Sequence, residues 1–296
     1  MSPTRPDEPP DVAAGSAFVL ALACPDRPGI VHAVTGVLAE LGGNISDSQQ
    51  FGDPGTGRFH LRVQVQVPAG TARETLAAAF APVAERFAMT WALDAAGRPV
   101  RTLVMVSRAG HCLNDLLFRQ RAGLLPVEVP AIVGNHRDLE PLATFYGVPF
   151  HHVPVTAGTR DAAEARVLGL VEELDVELVV LARYMQVLSP ALCARLEGRA
   201  INIHHSFLPS FRGARPYAQA HERGVKLIGA TAHYVTAELD EGPIIEQGVE
   251  RVTHAQDVGE LQAIGAGVEA QVLARAVRWH AEHRVLLDGH RTVVFA

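Results

Sequence analysis

Only three cysteines, Cys24, Cys112 and Cys193, occur in 296 residues, widely spaced and odd in number. That pattern excludes a disulfide framework and suits reduced thiols in a cytoplasmic protein. No apolar run approaches membrane-span length, and the opening MSPTRPDEPPDVAAG lacks the apolar core of a signal peptide. Positive charge is not in excess: the net charge of −6 argues against nucleic acid or an anionic membrane as the main partner. Zinc-type ligand spacing is missing despite fourteen histidines. The pairs His151-His152 and His204-His205 do not supply it, because neighbours on a strand face opposite ways. No metal and no cofactor are expected. With 48% hydrophobic and 20% charged residues, the chain has material for two globular domains of ordinary size.

Residues 1–14, rich in Pro and Asp, read as a disordered tail. An apolar strand over 17–23 leads into the turn CPDRPG, and Ile30, Val34, Leu38 and Leu41 repeat at helical spacing until Gly42-Gly43 stops them. From Phe59 to Val67 apolar residues alternate strictly with His60, Arg62, Gln64 and Gln66. This predicts a strand with one face buried and one wet. A second helix over 71–87 and a strand over 90–93 complete a β-α-β-β-α-β order, the ferredoxin-like α+β arrangement. CPDRPGIV and LGGNI, in that order of elements, resemble the ACT domain. The resemblance implies an amino-acid effector near Asp26, Gly29, Asn44 and Ile45, and a homo-oligomer. This module is assigned residues 15–95, with 96–99 as linker.

Beyond the linker the pattern changes. Leu103–Val106, Pro130–Val133 and Leu178–Leu181 are continuous apolar runs separated by helical stretches at 112–122, 138–146 and 162–174. That is the signature of a mostly parallel, Rossmann-like α/β domain over 100–296. In such sheets ligands sit beyond the carboxyl ends of the strands. There the segment Ala200-Ile201-Asn202-Ile203-His204-His205 brings Asn202 and His204 onto one face, and Leu208-Pro209-Ser210-Phe211 makes an irregular turn. A strand over 228–235 then precedes Leu239-Asp240-Glu241-Gly242-Pro243, which supplies a carboxylate. An amide, an imidazole and a carboxylate on strand ends and loops suit acyl transfer or hydrolysis. A helix over 268–284 and a hairpin over 285–295, turning near Asp288-Gly289, close the chain.

NIHHSFLPSFRGARPY followed by ATAHYVTAELDEGPII resembles the catalytic segment of the formyltransferase family that uses 10-formyltetrahydrofolate. With an ACT-like module in front, the chain is similar to the branch of that family that hydrolyses this folate. The resemblance implies release of tetrahydrofolate and formate, balancing one-carbon pools and supplying formate for purine synthesis. It makes Asn202, His204 and Asp240 the catalytic three, with the base role open between His204 and Asp240. It also makes LARYMQVL a folate-pocket segment, in which Arg183, Tyr184, Met185, Gln186 and Leu188 would touch substrate.

Three places depart from the family spelling. His111 and Cys112 replace small polar residues that hold a substrate phosphate in the glycinamide ribonucleotide transformylases, which favours water over a phosphorylated acceptor. Cys112 reads as a packed thiol rather than a nucleophile. Ala218 stands where histidine is usual, and Gly265-Ala266-Gly267 where Gly-Arg-Asp is usual, which puts turnover or helix anchoring in question. Formyl transfer to another amine and a non-catalytic folate- or amino-acid-binding regulator remain alternative readings.

Overall fold

Alternation of period two at the N-terminus and unbroken apolar runs further on produce two differently built sheets. A computed structural model describes residues 16–208 and 216–296. The expected tail over 1–14 and the turn at Pro209-Ser210-Phe211 lie outside the described residues. The chain divides into two compact units between Ala96 and Gly97.

The first unit runs β1 (Ser16–Pro25), α1 (Ile30–Glu40), β2 (Asn44–Asp53), β3 (Arg58–Val67), α2 (Arg73–Phe87) and β4 (Thr90–Ala95), with an antiparallel sheet in the order β2-β3-β1-β4. Gly42, at φ +71°, ends α1, and the Gly43 amide closes back onto the Leu38 carbonyl. The apolar face of β3 (Phe59, Leu61, Val63, Val65, Val67) packs with Ile30, Val34 and Leu38 of α1 and Leu76 and Phe80 of α2. The opposite face departs from expectation. His60 and Arg62 are buried, not wet. Across the strands His60 stacks on Phe51, and Arg62 donates to the Asp47 carboxylate at 2.7 Å, so long polar side chains cover their own sheet.

The second unit runs β5 (Val100–Val106), α3 (His111–Arg121), β6 (Val127–Glu128), β7 (Ile132–Gly134), α4 (Glu140–Tyr146), β8 (Phe150–His152), α5 (Arg160–Glu173), β9 (Leu178–Ala182), α6 (Pro190–Arg195), β10 (Ala200–His204), α7 (Pro216–Glu222), β11 (Leu227–Tyr234), β12 (Ile244–Arg251), α8 (Val258–Ala281), β13 (Val285–Asp288) and β14 (Arg291–Val294). Its main sheet has the order β12-β11-β10-β9-β5-β7-β8. Pairing is parallel from β10 to β8 and antiparallel between β10, β11 and β12. Two apolar clusters flank it, one including α3 and α8, the other α5 and α6. The last long helix starts ten residues before the expected Val268, because Asp257 and Glu260 form a reciprocal capping box that fixes its N-terminus. β13 and β14 pair as the expected hairpin, with Gly289 at φ +62° in its turn. Among the described residues no helix is long and apolar enough to cross a membrane.

Candidate active site

Register brings the chemistry together. β10 and β11 are antiparallel, with Asn202 opposite His233 and His204 opposite Thr231. An Asn-x-His pair on one strand therefore lies beside a Thr-x-His pair on the next, all at the carboxyl end of β10. Thr231 then captures the chain leaving β10: its hydroxyl donates to the Ser206 carbonyl at 3.0 Å and accepts from the Leu208 amide at 3.1 Å. The strand stops at His204 as a result. His205 does not point away from His204 as expected of strand neighbours; the rings stack with centroids 5.1 Å apart.

Asp240 arrives from the loop after β11. Its φ is +57°, a left-handed conformation that Asp tolerates better than most residues. The loop packs so tightly that a Cβ at Gly242 would lie 1.7 Å from the Tyr234 carbonyl oxygen. One Asp240 oxygen is 3.1 Å from His204 Nδ1, and the other is 3.6 Å from His233 Nε2. Burial works against the charged carboxylate, but the two histidines outweigh it and hold the group well below the usual carboxylate range.

Elementary donor and acceptor counting sets the protons. The carboxylate only accepts, so His204 Nδ1 carries hydrogen and its Nε2 accepts from the Ser206 hydroxyl at 2.8 Å. Ser206 is buried and does not line the cleft, so its hydroxyl orients the ring and is not placed to attack substrate. His233 Nδ1 faces the Tyr234 carbonyl at 2.8 Å and must donate to it. In the neutral ring Nε2 is then left to accept from Asn202 Nδ2 at 3.2 Å. That bond fixes the Asn202 amide and leaves its second N–H unspent.

These groups line one cleft of about 300 Å³. The other expected pocket residues, Arg183, Tyr184, Met185, Gln186 and Leu188, line it too. The Met185 amide is tied to the Ser107 hydroxyl at 2.9 Å, while Met185, Val187 and Leu239 expose apolar surface around the opening. Sequence reasoning missed His233, Ser206, Thr231 and the pair Tyr217 and Glu269. A signal for the first existed: Thr231 and His233 are two polar residues, two apart, in an otherwise apolar strand.

The four residues expected near an effector are not brought together within one module. Asp26 lies beside Gly52, at the far end of β2 from Asn44 and Ile45. Eight residues of strand at about 3.3 Å each separate them by roughly 25 Å. Gly29, at φ +93°, caps α1.

Among the described residues, His111, Cys112 and Glu269 place ligand-type atoms within 4.8 Å of one another. Metal chemistry fits them poorly. Tyr217 and His111 already bond the two Glu269 oxygens, at 2.6 and 2.7 Å, and the Arg183 guanidinium stands 3.3 Å away. Burial also pushes the Cys112 thiol well up, away from the thiolate a metal requires.

An open α/β sheet carrying this amide, imidazole and carboxylate at its strand ends is a formyl transferase domain: that family's model matches residues 100–277, and the ACT domain model matches 18–81. The formyltetrahydrofolate deformylase of Corynebacterium sp. (strain P-1) is 51% identical over 277 residues, 93% of this chain and 97% of that protein. The enzyme of that name from Bacillus subtilis (strain 168) is 48% identical, with 93% of each chain covered. The crystal structure of formyltetrahydrofolate deformylase from Burkholderia mallei superposes with a TM-score of 0.90 at 51% identity, covering 95% of this chain and all of the other. The chain belongs to the formyltetrahydrofolate deformylase family.

Proposed function

We propose that this protein hydrolyses 10-formyltetrahydrofolate to tetrahydrofolate and formate. The observation that carries the reading is the Asp240 carboxylate set between His204 and His233, beside an Asn202 amide with one free N–H. Water adds to the formyl carbon and negative charge collects on the formyl oxygen, which the spare Asn202 N–H can bind. A single donor of this kind is often worth about 10²–10³ in rate. Asp240, held ionised, is a weak base, so its part is to grip Nδ1 of His204 and stabilise the imidazolium. His204 takes the proton from water at Nε2, where the attacking water displaces the Ser206 hydroxyl, and delivers it to N10 as the C–N10 bond breaks, and the formic acid released loses its own proton to solvent. The exposed apolar rim at Met185 and Val187 suits a flat pterin. Neither metal nor cofactor enters the scheme.

Three buried, free cysteines support a cytoplasmic location. A homo-oligomer is supported by β2, a ten-residue edge strand with Phe51 exposed. Since the effector-type residues stand apart within one module, an amino-acid effector would be shared between copies. Addition of amino acids, one at a time, should change rate or binding for at least one of them; no response to any would remove this part of the reading.

The test of the main reading is formate release from 10-formyltetrahydrofolate with no acceptor, comparing wild type with Asp240→Asn. Release by the wild type alone is expected. No release unless an amine is supplied would replace hydrolysis by transfer.

A further inference from the structure

Arg183 follows the last residue of β9 and lines the cleft with Asn202, His204 and His205. Two features of it are costly, and the chemistry described so far uses neither. Its backbone sits at φ +62°, a left-handed conformation that glycine adopts freely and a long side chain does not. Its side chain is only 17% exposed, yet among the described residues neither Nε nor Nη1 has a hydrogen-bond partner. A buried cation with unspent donors is expensive unless an anion meets it.

Glu269 answers the charge only in part. It lies 3.3 Å from Arg183 Nε, but its oxygens are the ones committed to Tyr217 and His111. His205 adds no second cation here, because burial first and the Arg183 charge next push its imidazole down to about 4. The guanidinium is thus a partly neutralised positive group on a cleft-lining residue, 3.3 Å from Glu269, with its Nε and Nη1 donors unspent among the described residues. A planar fork of N–H groups matches a carboxylate.

We propose that Arg183 is the carboxylate-binding residue of the cleft, and that the anion it takes is formate, the small carboxylate formed beside Asn202 and His204. This rests on the hydrolase reading above. The same chemistry could serve a glutamyl carboxylate of the folate, and the test separates the two.

Formate is added as a product inhibitor of hydrolysis by wild type, Arg183→Gly and Arg183→Lys. Glycine accepts the left-handed backbone, so the first variant removes the guanidinium and relieves strain together. The inhibition constant for formate is expected to rise by about tenfold or more in Arg183→Gly and by less in Arg183→Lys. Unchanged inhibition in a folded Arg183→Gly overturns the proposal; if that variant does not fold, unchanged inhibition in Arg183→Lys does so. A second arm compares KM for 10-formyltetrahydrofolate and for 10-formyltetrahydropteroate, which lacks the glutamyl tail. An effect confined to the tail-bearing substrate, with formate inhibition intact, assigns Arg183 to the folate and also overturns it. A third arm follows the formate resonance with Asp240→Asn protein. If the wild type hydrolyses nothing yet formate binds and Arg183→Gly abolishes the binding, the hydrolase reading fails while the carboxylate site stands.

Discussion

Replacing His233 by phenylalanine tests whether the site depends on a residue that only cross-strand register reveals. The ring is 2% exposed, and phenylalanine fills similar space without nitrogen. Two groups lose a partner at once, the Asn202 amide at 3.2 Å and the Tyr234 carbonyl at 2.8 Å, and one Asp240 oxygen loses a neighbouring ring nitrogen 3.6 Å away. Asp240 keeps His204, so the main penalties fall on the first two, about 1–3 kcal/mol for each buried polar group left unpaired. In catalysis the loss is of aim, since Asn202 no longer has its amide orientation set from behind. Misplacing an oxyanion donor should lower kcat by about 10²–10³ with little change in KM, because the bond is made in the transition state. The carboxylate shifts as well. In the wild type its pKa is depressed, so the stabilisation it brings is present above the ordinary carboxylate pKa and is lost as pH falls through the folded value. With one histidine gone the depression shrinks, and the acid loss of stability moves to higher pH. Formate release under saturating and limiting substrate, with urea titrations at several pH values, reads all three effects. A folded His233→Phe protein whose kcat stays within about threefold of wild type would refute the reasoning.

Glu269→Gln should flatten the acid side of the stability curve. The pKa of Glu269 is lowered; burial opposes ionisation, but His111, Arg183 and Tyr217 outweigh it, so its stabilisation holds above about pH 4 and disappears below. Urea titrations of both proteins between neutrality and acid should show the wild-type advantage shrinking as pH falls. Ala88→Gly, at the left-handed residue that ends α2 (φ +51°), should stabilise the chain by about 0.5–1 kcal/mol, read as a rise in denaturation midpoint.

What could be read from the chain alone follows from which periodicities survive in one dimension. Phe59–Val67 alternates, so β3 was legible to the residue at its apolar end. Leu178–Leu181 is unbroken, so a strand buried on both faces was legible too. Asn202, His204 and Asp240 stood out because polar residues close an apolar strand or occupy a Gly-Pro loop, and the fold does bring them together. His233 was hidden because its importance comes from lying opposite Asn202, and antiparallel register is a property of two segments. The dry polar face of β3 was hidden for a similar reason: alternation reports which residues are polar, while Asp47 and Phe51, fifteen and nine residues before Arg62 and His60, decide whether they stay wet. The first ten residues of α8 lack a clean apolar stripe, and only the Asp257–Glu260 capping box marked their start.

The departure at 265–267 yields a pair of predictions with opposite signs. Both glycines lie inside α8, and alanine is the better helix former by about 1 kcal/mol at either position. Gly267 is exposed, with no atom within 4 Å of where a Cβ would stand, so Gly267→Ala should gain most of that. Gly265 is buried, and a Cβ there would lie 2.0 Å from the Tyr217 hydroxyl. Gly265→Ala must push Tyr217 off Glu269, losing a 2.6 Å bond to a buried carboxylate and overpacking the contact, each an effect of about 1–3 kcal/mol. That outweighs the helical gain, so stability should fall. The same urea titration decides both. If the two variants move the midpoint the same way, the helix is governed by propensity alone and Tyr217 is not locked. If they diverge, the missing Arg-Asp pair concerns the open side of the helix, where residue 267 faces solvent, while the side that holds Glu269 against Tyr217 and His111 is intact.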